Sequence, residues 1–190
     1  MTAARHDPLP PTEVLDRISA GIFAATMAPL FEGAPRFLGR LAVDRPFGSL
    51  ETLFSRARRI AHAMPIAEQL ELIDAHPRLG APPASVSALS FVEQGYDRDA
   101  AERAAHDAET ERARVAAELY RLNAAYETRF GFRYCVFVAG RPRSALLAGF
   151  ATALEADRPF ELVRAIDAVV DIAADRAAKL GVQAAEEAGA

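Results

Sequence analysis

The chain has 190 residues, 51% of them hydrophobic and 25% charged, which suits a soluble globular domain able to bury a substantial core. A net charge of -4, no Trp and no long basic cluster exclude a nucleic-acid backbone as partner, and a single cysteine excludes both an internal disulfide framework and a thiolate metal cage. No run approaches the roughly 20 apolar residues of a membrane span, and "MTAARHDPLPPTE" has no apolar core of a secretion signal, so a cytoplasmic protein with no membrane partner is expected.

In chain order, "TEVLDRISAGIF" predicts a first helix behind Thr12 as N-cap, with Val14, Leu15, Ile18 and Ile22 on one face. A short helical piece follows, ending near Asp44-Arg45-Pro46. Ser49 then opens a helix with Leu50, Leu53, Phe54, Ala57, Ile60 and Ala61 inward. "PIAEQLELIDAH" is the next helix, with Pro65 near its start and His76 at its end. "PRLGAPPAS" reads as a loop from its Gly and Pro content.

After "SFVEQGY", an Ala/Glu/Arg-rich helix is expected from about Asp99 to Arg129, with Ala104, Val115, Leu119, Leu122 and Tyr126 at helical spacing and Gly131 as its stop. "FRYCVFVAG" breaks the period: Phe132, Tyr134, Val136 and Val138 alternate, so the stretch near 132–139 reads as extended and buried, with Cys135 an inert core thiol. "SALLAGFATAL" returns to helix. The last helix has Asp157 as cap, Pro159 in its first turn, and Leu162, Ile166, Val169, Ile172 and Leu180 on its buried side. The class is all-α: a single-domain helical bundle over residues 1–180 with one short extended segment, and a flexible tail over 181–190.

The chemistry has few places to sit. His76 is locked against Pro77 in "AHPRLG"; proline disfavours helix in the residue before it, and a histidine suits the negative end of a helix, so capping explains the motif without catalysis. Ser90-Phe-Val-Glu93 has the spacing of a capping box, which also gathers a hydroxyl, a carboxylate and backbone N–H groups at one helix start. His6, His62 and His106 read as surface residues. No H-E-x-x-H, paired histidines, phosphate-binding glycine motif or G-x-S-x-G is present, so no metal site and no nucleotide or serine-hydrolase chemistry is supported. What remains is a His and a Glu moving protons without a cofactor.

Three motifs stand in a specific order: "AHPRLG" at 75–80, "SFVEQ" at 90–94, and "LNAAYETRFGFRYCVFVAGR" at 122–141, which contains N-x-x-Y-x-x-R-F-G-F. With "RPFGSLETL" at 45–53 and the closing "FELVRAI…IAADRAAKL", the chain from about Leu30 to Leu180 resembles the 2-oxo-4-hydroxy-4-carboxy-5-ureidoimidazoline (OHCU) decarboxylases, which complete the conversion of urate to (S)-allantoin. The resemblance implies an all-helical bundle, a homodimer, a small-molecule ureidoimidazoline substrate, and no metal or organic cofactor. It implies His76 and Glu93 as catalytic residues, with Pro77, Ser90, Gln94 and the segment Tyr134, Cys135, Val136, Phe137 and Val138 binding substrate, the last five largely through backbone. Ala153 and Ala156, in "TALEADRP", depart from the Arg-Leu and Asn of many members.

The substrate of such an enzyme is its own electron sink, because the electrons released with CO2 move into C4–C5 while the ring imine takes up charge. The protein must supply a proton carrier, an orientation, and one proton to one face of C5. Arg78 and Arg129 are candidates to steer the anion, or structural arginines. Two alternatives stand beside this expectation: a non-catalytic helical ureide-binding or dimerisation module, and a decarboxylase of a related ureide.

Overall fold

The computed structural model describes residues 8–101 and 106–188, for 99–101, 106–108 and 182–188 the backbone alone. Among the described residues the regular structure is helical throughout, and there is no strand. The elements are α1 (Thr12–Leu15), α2 (Ala20–Met27), α3 (Pro35–Val43), α4 (Leu50–Ala63), α5 (Ile66–Ala75), α6 (Ala88–Glu93), α7 (Tyr96–Ala101), α8 (His106–Phe130), α9 (Arg143–Ala153) and α10 (Arg158–Ala188), with 3-10 turns at Ala28–Phe31 and Pro83–Ser85.

Packing divides the chain into two compact units. One runs to Ala75 and resumes at Ile166; the other is His76–Ala165. In the first, α2 packs on α3, and α3, α4 and α5 pack on one another. Leu15, Phe23, Met27, Phe31, Leu41, Leu53, Ala57, Leu72 and Ile73 are fully buried there. In the second, α8 packs on α9 and α6 on α7. Its core is aromatic and centres on Tyr126 and Phe150, both fully buried.

The first expected helix is two helices. Asp16 and Ser19 interrupt it: Ser19 caps α2 by accepting from the Ile22 N–H (3.3 Å), while Arg45 donates to the carbonyls of Leu15 (2.9 Å) and Ile18 (2.7 Å), taking the bonds that helix continuation would have made. The break shifts the helical phase, so Val14 and Ile22 are exposed at 44% and 57% while Leu15 is buried. Thr12 is the first helical residue rather than the N-cap, which is Pro11. Ser49 caps α4 as expected, accepting from the Thr52 N–H at 3.1 Å. Asp157 accepts from the Phe160 N–H at 2.8 Å and opens α10, which buries Leu162, Ile166, Val169, Ile172 and Leu180. The long Ala/Glu/Arg segment is described as α7 and α8; residues 102–105, Ala104 among them, lie outside the described residues, as does His6.

Candidate active site

All the residues singled out for chemistry lie in the unit His76–Ala165. α5 ends at Ala75, and His76 follows as a buried residue, 4% exposed, directly before Pro77. The loop after it is held tightly. Asn123 on α8 donates to the Leu79 carbonyl (2.9 Å) and to Leu119 one turn back (2.8 Å). Gly80 has φ +79°, and a Cβ there would stand 2.8 Å from the Leu119 side chain, so both conformation and space require glycine.

"SFVEQ" does not form the expected capping box. Ser87 is the N-cap of α6, accepting from the Ser90 N–H at 3.1 Å; Ser90 therefore sits inside the helix, buried, and Glu93 is its last residue, half-buried. Ser87 wins because it precedes the first helical residue, where the unsatisfied N–H groups are. Gln94 is the residue that joins two motifs: its Oε1 accepts from the Gly80 N–H (2.7 Å) and its Nε2 donates to the Arg78 carbonyl (3.3 Å). Arg143 in turn donates to the Gln94 carbonyl (2.7 Å) and lies over the Tyr96 ring at 4.3 Å.

The third motif turns at Gly131, φ +77°, and runs on from 133 to 138 as neither helix nor strand. Phe132 and Tyr134 point inward, where their rings stand 5.6 and 5.2 Å from that of Tyr126, and Tyr134 stacks on Phe150 at 3.7 Å and 11°. Each such pair contributes about 0.5–1.5 kcal/mol beyond buried area. Cys135 and Val138 are also buried, Val136 and Phe137 half-buried. Arg133, on the alternate face, donates to the His76 carbonyl at 2.9 Å. Gln94 and Arg133 thus tie the three motifs together: the first holds the loop after His76, and the second holds the His76 backbone.

A charged network lies beneath the segment. Glu161, 1% exposed, accepts from the Tyr126 hydroxyl (2.7 Å) and from Arg164 (2.9 and 3.0 Å). Arg164 also donates to the Cys135 carbonyl at 2.8 Å. Burial pushes the Tyr126 hydroxyl far above the usual tyrosine range, and donation to Glu161 adds to the shift; burial raises Tyr134 as well. Burial works against the Arg164 charge, but the hydrogen bond and charge of Glu161 outweigh it. Removing one partner of a buried pair of this kind costs about 3–5 kcal/mol.

The candidate steering arginines are engaged elsewhere. Arg78 makes a two-pronged ion pair with Glu127 (2.5 and 2.6 Å), whose hydrogen bonding holds the Glu127 carboxyl below its usual range against the effect of burial. Arg129 donates to the Ala156 carbonyl (3.1 Å), and Arg158 to Phe130 (2.8 Å), so backbone contacts brace the stretch around Ala153 and Ala156. His62 pairs with Asp167 at 2.8 Å in the other unit. Sequence reasoning passed over Arg133, Arg143, Glu161 and Arg164. The available signal was the alternation itself, which sets Arg133 opposite Phe132 and Tyr134. Among the described residues, no group of three His, Cys, Asp or Glu side chains is arranged to hold a metal ion, and no helix is long and apolar enough to cross a membrane.

A family model for OHCU decarboxylase matches residues 16–178. The 2-oxo-4-hydroxy-4-carboxy-5-ureidoimidazoline decarboxylase of Haloferax volcanii is 26% identical over 165 residues, spanning 87% of this chain and 92% of that protein. The uric acid degradation bifunctional protein PucL of Bacillus subtilis is 29% identical over 166 residues, spanning 87% of this chain and only 32% of the longer relative. Among solved structures, a crystal structure of OHCU decarboxylase in the presence of (S)-allantoin matches with a TM-score of 0.61 at 22% identity, covering 82% of this chain and 96% of that one. The structure of (S)-allantoin synthase also matches at 0.61, with 18% identity, 90% of this chain and 53% of that one. At these identities the structural likeness speaks for the fold.

Proposed function

The chain belongs to the OHCU decarboxylase family, and from that premise we propose that it decarboxylates 2-oxo-4-hydroxy-4-carboxy-5-ureidoimidazoline to (S)-allantoin in the breakdown of urate. The observation that carries the reading is the convergence of the three motifs, made by Gln94 between the Arg78 carbonyl and the Gly80 N–H and by Arg133 on the His76 carbonyl. A mere helix terminator does not require its backbone to be tied to a segment 57 positions away.

In this mechanism His76 is the general acid/base at the 4-hydroxyl and carboxylate, a role suited to imidazole near neutral pH. The C4–carboxylate bond breaks and CO2 leaves. Its electron pair forms the C4–C5 double bond, and the imine nitrogen takes up a proton. The enol then returns its hydroxyl proton while C5 receives one on a single face, giving allantoin. Glu93 holds the ureido or ring N–H groups and polarises the site. Ser90, Pro77 and the backbone of 134–138 fix the ring. Gln94 contributes chiefly by holding the loop, since its amide is engaged by Arg78 and Gly80. No metal or cofactor is needed, because the imine receives the electrons. The homodimer and the cytoplasmic location belong to the same proposal.

The test is to generate the substrate in situ from urate and follow allantoin by circular dichroism. Spontaneous decay has no facial preference, so the expected result is accelerated formation with a large (S) excess, unaffected by chelators. Racemic product, or activity lost to a chelator and restored by a divalent metal, overturns the mechanism. Sedimentation equilibrium checks the dimer.

A further inference from the structure

The segment 132–138 is neither helix nor strand among the described residues, so its carbonyls lack the partners of a regular ladder: that of Val138 accepts from the Arg141 N–H (3.1 Å), and arginine side chains reach those of Cys135, Phe137 and Val138. Arg164 supplies the bond to Cys135, at 2.8 Å. Its own orientation is set from two other directions. Glu161 grips the guanidinium through Nε and Nη2, and the Tyr134 ring lies under it, 4.6 Å from the guanidinium carbon. Glu161 is itself fixed by the Tyr126 hydroxyl, and Tyr134 by its stack on Phe150. The guanidinium is therefore held in angle by one partner and in plane by the other, with one N–H edge left to meet the carbonyl.

The peptide bond makes this contact matter beyond Cys135. The Cys135 carbonyl and the Val136 N–H share one plane and point in opposite directions across a trans peptide, so fixing one aims the other. We propose that Arg164, oriented by Glu161, is a positioning residue that fixes the Cys135–Val136 peptide plane and thereby the face of the ring that the segment presents to the proton source. This rests on the reading above, in which the backbone of 134–138 holds the substrate. Lysine is no substitute: an ammonium can sit beside Glu161, but it lacks the planar fork that joins carboxylate and carbonyl at a set angle.

The test compares Arg164→Lys, Arg164→Met and the double variant Arg164→Met/Glu161→Gln, which leaves no unpaired buried carboxylate. Melting temperature, kcat, KM and the enantiomeric excess of allantoin are measured on substrate freshly made from urate. For the Met variant and the double variant, KM is expected to rise about tenfold, the size expected from one lost charge-assisted hydrogen bond, and the (S) excess to fall well below that of the wild type. Arg164→Lys recovers melting temperature but not the (S) excess. Folded variants that keep wild-type KM and (S) excess overturn the proposal, as does a loss of kcat that tracks melting temperature while handedness is untouched. If both Met variants fail to fold, Arg164→Lys, which keeps a cation beside Glu161, decides by KM and handedness. A wild type that yields no (S) excess removes the underlying reading and the proposal with it, whereas an (S)-selective wild type with unaltered variants sinks only the role of Arg164.

Discussion

The loop at 44–49 and the segment at 132–138 are both non-helical backbone in a helical protein, and different groups pin them. In the loop, the Asp16 carboxylate accepts from the amides of Phe47 (2.8 Å) and Gly48 (2.9 Å), Arg56 donates to the Asp44 carbonyl (2.7 Å), and Arg45 reaches outward to the carbonyls of Leu15, Ile18 and Ala42. In the segment, guanidinium groups take carbonyls: Arg164 that of Cys135, and Arg141 those of Phe137 (2.5 Å) and Val138 (3.0 Å). Carbonyls held by arginine in the segment set the direction of the N–H on the far side of each peptide, and in the proposed reading those N–H groups meet a ring that bears a carboxylate. In that reading the loop is a structural closure and the segment a binding edge.

The comparison breaks first at His76. His76→Asn is expected to lower kcat by about 10²–10⁴-fold, the usual worth of general acid/base catalysis, with little change in melting temperature. Near wild-type turnover in the purified variant leaves His76 as a helix terminator and the segment as one more brace. Glu93→Gln comes next, with a loss of about 10²-fold at the lower end of that range. Glu93 ends α6 rather than completing its cap, and Gln keeps its size and one acceptor oxygen, so stability should change by no more than about 1 kcal/mol. Parallel losses of stability and activity in chemical denaturation and steady-state assays would return Glu93 to a structural role.

The helical class, the caps at Ser49 and Asp157, the buried face of α10 and the non-helical stretch with its inward Phe132 and Tyr134 were legible in the sequence, because each follows from local periodicity or from a residue type at a chain reversal; the expected alternation stops at Cys135, which is buried where Val136 is half-buried. The break at Asp16–Ser19 was not, since its causes lie in Arg45, Phe47 and Gly48, some thirty residues on. Ser90 was misread as a cap because S-x-x-E spacing does not say which of two nearby serines, Ser87 or Ser90, precedes the first helical turn. Within the site, residue types and their order pointed to His76, Glu93 and the segment, whereas Arg133 and Arg164 could not be ranked above the many other arginines. Their importance comes from which carbonyl each reaches, and that is decided only by the folded chain.

Asp16→Ala sharpens the other side of the comparison. It strands two amides that now share one carboxylate, and a cost of about 2 kcal/mol is expected from the loss of charge-assisted bonds. Urea denaturation measures it. The (S) excess should be unchanged, because nothing at the 134–138 backbone is altered; a fall in handedness equal to that of the Arg164 variants would erase the distinction between closure and binding edge.

The smallest effect is expected where charges join two helices with no irregular backbone to hold. Asp167 accepts from Arg58 (2.6 Å) and pairs with His62 (2.8 Å), all three side chains being about a third exposed. Burial would raise the Asp167 carboxyl, but hydrogen bonds from His62 and Arg58 outweigh it and hold it below the usual range. A carboxyl depressed in the folded state stabilises the fold above its unfolded pKa of about 3.9 and loses that contribution as the pH falls through the folded value. Asp167→Asn should therefore cost under about 1 kcal/mol at pH 5 to 7, since exposed pairs are screened by solvent. The gap between variant and wild type should close as the pH is lowered beneath about 4, in the window set by that depressed carboxyl. Urea unfolding across this range reads the difference directly. A gap that persists in strong acid would assign the loss to packing of the side chain rather than to its charge.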